Sequence, residues 1–146
     1  MSGVGKSSIV AQLVKLGYRA IDTDDPGWVT LRDDGERVWV EEKMQELLMS
    51  LKRDDSLVIS GTVVNQGNFY RFFDYVVLLS APLEVMEQRI QKRKENSYGK
   101  APKEWSDIVR NNETVEPLLR RGADLEIRTD QPLEEIVSSV VKLLER

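Results

Sequence analysis

The feature that most constrains this chain is Gly3-Val4-Gly5-Lys6-Ser7-Ser8, directly ahead of a helical pattern. Gly-Lys-Ser in that setting is the second half of the phosphate-binding loop G-x-x-x-x-G-K-[ST]. Glycines at 3 and 5 let successive backbone N–H groups turn toward one anion with no Cβ in the way. The helix that begins there adds the positive end of its dipole. The candidate phosphate contacts are therefore Ser2, Gly3, Val4, Gly5, Lys6, Ser7 and Ser8, with Lys6 reaching the β- and γ-phosphates and the Ser7 hydroxyl binding Mg²⁺. Counting back five places from Gly5 puts the first glycine of the motif one residue ahead of Met1. The strand that should feed the loop is expected to be missing from this chain, with the natural start upstream.

The rest of the chain alternates strands with helices. Ser8 to Leu16 predicts a helix stopped by Gly17, and Tyr18 to Ile21 a short strand ending at Asp22. Asp22 to Glu36 holds six acids, two glycines and a proline, and is expected to be a loop. Arg37 to Arg53 is expected to carry a helix, strongest from Glu41, with Met44, Leu47, Leu48 and Leu51 as its apolar stripe. Leu57 to Ser60 and Tyr75 to Leu79 lack alternation, as strands buried on both faces do. Between them Phe69 to Phe73 predicts a short helical turn. Pro82 opens a helix with Leu83, Met86 and Ile90 inward, and Lys94 to Lys103, polar and glycine-containing, is expected to be mobile. Trp105 to Leu119 predicts another helix, Leu125 to Arg128 an edge strand, and the segment from about Asp130 a last helix. Its apolar side is Leu133, Ile136, Val137, Val140, Val141 and Leu144. This order implies a parallel sheet covered on both faces, in one domain over 1–146.

Composition removes several chemistries. With neither cysteine nor histidine, thiolate zinc sites, disulfides and Ser-His-Asp or Cys-His catalysis are excluded. A net charge of −4 gives no reason to expect nucleic acid as a partner. No apolar run approaches the roughly 20 residues of a membrane helix, so no membrane partner and a cytoplasmic location are expected. Acid–base work falls to carboxylates and lysine.

Three further clusters follow the strands, where open α/β sheets bind ligands. Asp22-Thr23-Asp24 places two carboxylates at i and i+2; on an extended segment they point the same way, one toward a metal and one toward a substrate hydroxyl. Alone, the segment reads better as a solvated acidic turn. Arg89 and Arg93, at i and i+4, stack on one helix face and suit the charge that spreads during phosphoryl transfer. A lid at about 94–104 follows them. Gly61-Thr62 begins a polar stretch that either lines a substrate pocket or is an ordinary strand-to-helix turn. Trp28 and Arg32 with Arg37 and Trp39 are candidates for its other side, although Trp39 and Trp105 suit the core better.

The order of these features resembles the P-loop small-molecule kinases, such as shikimate, gluconate and adenylate kinases, over nearly the whole chain. The resemblance implies the three-layer P-loop NTPase fold, whose mostly parallel sheet here lacks its first, central strand. It implies ATP and Mg²⁺ as cofactors and a small-molecule acceptor. By this likeness Asp22 helps hold the metal with Ser7, and Asp24 meets the acceptor hydroxyl. Lys6, Arg89 and Arg93 act on the transferring phosphoryl group, and Thr129 to Pro132 seats adenine, with Thr129 and Pro132 as contacts. Arg32, Gly61, Thr62 and Asp24 are the candidate acceptor contacts. The long glycine run of shikimate kinases is reduced to Gly61-Thr62, and Arg32, Arg37 and Arg71 all remain candidates for an acceptor clamp. A nucleoside monophosphate, a sugar acid or another hydroxyl compound would fit. The competing reading is a nucleotide-binding regulatory or NTPase module without transfer. A GTPase is disfavoured, because no Asn-Lys-x-Asp is present.

Overall fold

A computed structural model describes residues 4–93 and 97–145 of the chain. Ser2 and Gly3 of the expected phosphate loop, and positions 94–96 of the expected lid, lie outside the described residues. The chain divides into two compact units, and the cut falls between Lys6 and Ser7, inside the first turn of helix α1 (Lys6–Lys15). One unit comprises Ser7–Asp74; the other joins the N-terminal residues up to Lys6 to the chain from Tyr75 onward. The structure is mixed α/β with two short parallel sheets.

In the Ser7–Asp74 unit, α1 buries Ile9 and Leu13, one turn apart, and ends where Gly17 takes φ +91°. The Gly17 N–H bonds the Val14 carbonyl and the Tyr18 N–H the Leu13 carbonyl, both at 3.0 Å. That pattern satisfies two of the carbonyls a helix end leaves open, and the positive φ costs glycine nothing. Strand β1 (Ala20–Asp22) follows, then a hairpin of β2 (Val29–Leu31) and β3 (Arg37–Trp39), helix α2 (Glu41–Met49), strand β4 (Val58–Ser60) and a 3₁₀ segment, Gln66–Phe72. β1 and β4 pair in parallel, with Asp22 opposite Ser60. The core joins Trp39, Met44, Leu47, Val63 and Phe69, with the Trp39 and Phe69 rings edge to face at 5.8 Å.

The hairpin corrects two expectations, a loop over 22–36 and a helix from Arg37. The strands are three residues each, too short to show alternation, and Arg37 to Trp39 is drawn into β3 by pairing with β2 and by burial of Val38 and Trp39. Its turn is closed locally. Gly35 takes φ +84°, the Arg32 N–H bonds the Glu36 carbonyl at 2.8 Å, and Asp34 accepts from the Arg32 side chain and the Glu36 N–H. Asp34-Gly35 is a sequence signal that could have pointed to this turn, and sequence reasoning missed it.

In the other unit, strand β5 (Val77–Ser80) pairs in parallel with β6 (Leu125–Arg128), Ser80 opposite Arg128. Helix α3 (Leu83–Lys92) begins after Pro82 and sets Met86 and Ile90 into a core with Val4, Ala81 and Ile108. Fully burying such side chains is worth about 1.5–3 kcal/mol each. The helix expected over Trp105–Leu119 is two, α4 (Pro102–Thr114) and α5 (Glu116–Gly122). Pro117 explains the break: it has no N–H to give the preceding turn and its ring crowds the carbonyl there. Helix α6 (Leu133–Leu144) buries Ile136 and Val137, while Leu133, expected on its apolar side, is 39% exposed. No helix among the described residues is long and apolar enough to cross a membrane.

Candidate functional site

The phosphate-loop residues fall on both sides of the division, and each side forms its own constellation. On the first side Val4 is buried under α3, which holds the chain as it enters the loop. Gly5 then takes φ +95°, a conformation that L side chains rarely adopt, immediately before Lys6 opens α1. A Cβ on Gly5 would lie 3.6 Å from Nη1 of Arg89. That same Nη1 donates to Oγ1 of Thr129 at 2.9 Å, and Nη2 donates to the Thr129 carbonyl. Three residues singled out by sequence, Gly5, Arg89 and Thr129, are thus brought to one place. Pro132 is exposed and leads into α6.

Arg93 goes elsewhere. Its guanidinium donates to the carbonyl of Tyr98, and burial pushes its pKa below the ordinary arginine value. The Arg93 carbonyl accepts from Lys100 Nζ at 2.6 Å. Gly99 takes φ +93°, and a Cβ there would be 2.7 Å from Ile108 and 3.1 Å from Ile90. The described part of the expected lid is therefore fastened to α3 and α4 by hydrogen bonds and close packing.

Thr129 continues the β5–β6 ladder by one residue, its N–H on the Ser80 carbonyl at 2.8 Å. Ser80 is fixed in turn by Glu126, which accepts from its hydroxyl at 2.5 Å. Arg120 bonds Glu126 and Glu116 at 2.7 Å each, and Asn112 donates to Glu116. The hydrogen bond from Arg120, then that from Ser80, holds the Glu126 carboxyl below the usual carboxylate range, while the bonds to Glu126 and then Glu116 raise Arg120.

On the second side the Ser7 hydroxyl donates to Oδ2 of Asp22 at 3.3 Å. Oδ1 of Asp22 accepts the Asp24 N–H at 3.0 Å, and the Asp25 N–H reaches the Asp22 carbonyl at 3.1 Å. The chain therefore turns straight after Asp22, and Asp22 and Asp24 do not lie on one extended segment. The Asp24 carboxylate is 3.6 Å from Arg37 Nη2, both more than half exposed; such a pair contributes about 0–1 kcal/mol. Arg32 is bonded to Asp34 within its own turn, at 2.6 Å, which raises Arg32 and lowers Asp34. The Arg71 guanidinium lies 4.8 Å over the Phe72 ring. Ser8 is exposed, and Thr62 half-buried beside Gly61.

Sequence reasoning missed what holds this turn. Thr23 is 1% exposed; its hydroxyl donates to the Ser60 carbonyl at 2.8 Å and accepts from Trp39 Nε1 at 3.0 Å. Its N–H also bonds the Ser60 carbonyl, at 2.9 Å. A Cβ on Gly61 would fall 2.0 Å from Thr23 Oγ1, so glycine is required there by packing. The one sequence signal was position: a hydroxyl residue between two acids.

The donors at Ser7 and Asp22 suit Mg²⁺, which takes hard oxygen ligands and is commonly held by one or two carboxylates together with substrate phosphates. Among the described residues there is no cluster of three or more Asp and Glu that could hold a metal ion.

A family model described as an AAA domain matches residues 1–118. Over 100 residues the chain is 32% identical to the uncharacterized protein YqaC of Bacillus subtilis, covering 67% of this chain. The chain spans 55%, about half, of the length of that relative.

Proposed function

The chain belongs to the AAA domain family, which is P-loop NTPase-like and includes kinases, and from that premise we propose that it binds ATP with Mg²⁺ and passes the γ-phosphoryl group to a small hydroxyl or phosphate acceptor. The observation that carries the proposal is the Ser7 hydroxyl directed at the Asp22 carboxylate at the head of α1. It pairs the loop's metal-binding hydroxyl with a carboxylate at a strand end. A plain glycine turn capping a helix has no need of that partner.

Lys6 and the amides at the start of α1 bind the β- and γ-phosphates. Ser7 and Asp22 hold Mg²⁺, which when bound supplies positive charge to the phosphate oxygens. Arg89, beside Gly5, adds charge where it develops as the phosphoryl group moves. Arg93 supports that region from the base of the lid at about 94–104. Thr129, with Pro132 after it, receives the base. Asp24 orients the acceptor and takes its proton as the new oxygen–phosphorus bond forms and the bond to the ADP oxygen breaks. Thr62 and Gly61 line the acceptor side. Of Arg32, Arg37 and Arg71, Arg37 is best placed to meet an acceptor charge, since it already faces Asp24 loosely, while Arg32 is bonded within its turn.

We read the whole as one kinase-like domain of three layers. Among the described residues β4 pairs only with β1 and β5 only with β6, so each keeps an open edge that a further parallel strand would satisfy. The test is ADP release from ATP with a panel of hydroxyl and phosphate acceptors. Release that depends on one acceptor supports transfer. Release at the same rate with every acceptor and with none favours a plain NTPase and overturns the kinase reading.

A further inference from the structure

The buried hydroxyl of Thr23 has no part in the roles above, yet it lies between the two acids that do. We propose that Thr23 is a positioning residue: locked by Trp39 and Ser60, with Gly61 leaving it room, it aims the Asp22 carboxylate at the metal.

Asp22 is the last residue of β1, and the chain reverses immediately after it. Oδ1 is taken by the Asp24 N–H at 3.0 Å, which leaves Oδ2 directed to Ser7. This orientation holds only while the turn keeps its place on the end of β4. Thr23 fastens it there with three hydrogen bonds at 2.8–3.0 Å, two to the Ser60 carbonyl and one from the Trp39 indole. Trp39 is itself fixed, 4% exposed in the core, with its N–H backbone bonded to Asn65 Oδ1 at 2.9 Å. A β-branched side chain with few χ1 choices that is bonded on both sides and nearly fully buried is a rigid support. Partners bonded directly to a metal-ligating carboxylate are worth about 10–100-fold in metal affinity; Thr23 acts one step further out, through the backbone that carries Asp22. Trp39, on β3, thereby ties the hairpin to the same turn, whose other link is the loose Arg37–Asp24 pair.

The inference rests on the assignment of Ser7 and Asp22 to Mg²⁺, and the experiment separates the two. Binding of a fluorescent ATP analogue is titrated with MgCl₂, and in EDTA as the metal-free reference, for the wild type, Asp22→Asn, Thr23→Val, Thr23→Ser and Trp39→Phe. Thr23→Val keeps the shape and removes the hydroxyl; it is expected to raise the Mg²⁺ needed for half-maximal binding about 10-fold, the lower end of what direct partners of a metal ligand are worth, with metal-free affinity unchanged. Thr23→Ser, which keeps the hydroxyl, should stay within about twofold of the wild type by the same argument. If Thr23→Val does not fold, Trp39→Phe removes the clamp from its other end and should shift the Mg²⁺ requirement in the same direction. A shift in Asp22→Asn with none in Thr23→Val or Trp39→Phe overturns the positioning role alone. No shift in Asp22→Asn overturns it together with the metal assignment. Equal loss of metal-free binding in Thr23→Val assigns Thr23 to the fold and overturns the inference.

Discussion

Gly61→Ala tests the packing at the turn most directly, because one added methyl group meets one named atom. The new Cβ would sit 2.0 Å from Thr23 Oγ1, far inside contact distance, while the next neighbours, Thr23 Cβ and Trp39 Nε1, would lie at ordinary distances of 3.4 and 3.5 Å. The hydroxyl cannot move aside without breaking its bonds to the Ser60 carbonyl and the Trp39 indole. Overpacking costs about 1–3 kcal/mol, and each lost hydrogen bond about 0.5–1.5 kcal/mol. The lower chain entropy of unfolded alanine returns about 0.4–1 kcal/mol. The net expectation is about 2–4 kcal/mol, a large share of the roughly 5–15 kcal/mol that holds a domain folded. At about 2–4 °C per kcal/mol for a chain of this size, the melting temperature should fall by about 5–15 °C. Thermal unfolding followed by far-ultraviolet circular dichroism measures the shift, and a double-mutant cycle identifies its cause. In a Thr23→Ala background the offending oxygen is gone, so the same Gly61→Ala change should cost under about 1 kcal/mol, a coupling within the range of contacting residues. A full-sized penalty in that background, or a single-variant loss under about 0.5 kcal/mol, would refute the packing argument.

Lys6→Ala should abolish nucleotide binding or turnover while leaving the circular dichroism spectrum and melting temperature nearly unchanged; unchanged ATP affinity would remove the phosphate-loop assignment. Asp24→Asn should lower acceptor-dependent turnover by about 10²–10⁴, with ATP affinity little altered, and loss of ATP binding instead would move Asp24 to the metal. Since Arg120 and Ser80 depress Glu126 in the folded state, its contribution to stability is complete above the ordinary glutamate pKa of about 4.3 and fades as pH falls through the lower folded value. Glu126→Gln should therefore flatten the acid limb of the stability-against-pH curve, measured by urea unfolding, and an unchanged acid limb would count against the network. Hydrogen exchange at 97–104 should slow when ATP is added if this stretch closes over nucleotide; equal protection with and without ATP would argue against a lid.

What sequence alone determined were the features whose physical cause lies within a few residues. Gly5 before Lys6 and Ser7 needed only the motif, and its positive φ follows from the tight turn that the motif requires. Helix α3 and the strands β4, β5 and β6 came within about two residues of their bounds, because apolar spacing and the punctuation of Pro82 and Gly61 act locally. The α4–α5 break was not read from the sequence, whose pattern predicts one helix over Trp105–Leu119, although Pro117 carries a local reason for breaking it. Other features depended on partners distant in sequence. Arg37 to Trp39 became a strand because β2 and the core offered more than a helix could. Arg89 could be seen as a cation on a helix face, but its contact with Thr129, 40 residues away, is a product of folding. Gly61 looked like a remnant of a substrate loop, and only the position of Thr23 Oγ1 explains why no side chain fits there. Thr23 itself drew no attention as a residue. A hydroxyl's value depends on what it bonds, and its partners, Ser60 and Trp39, lie 37 and 16 residues away along the chain.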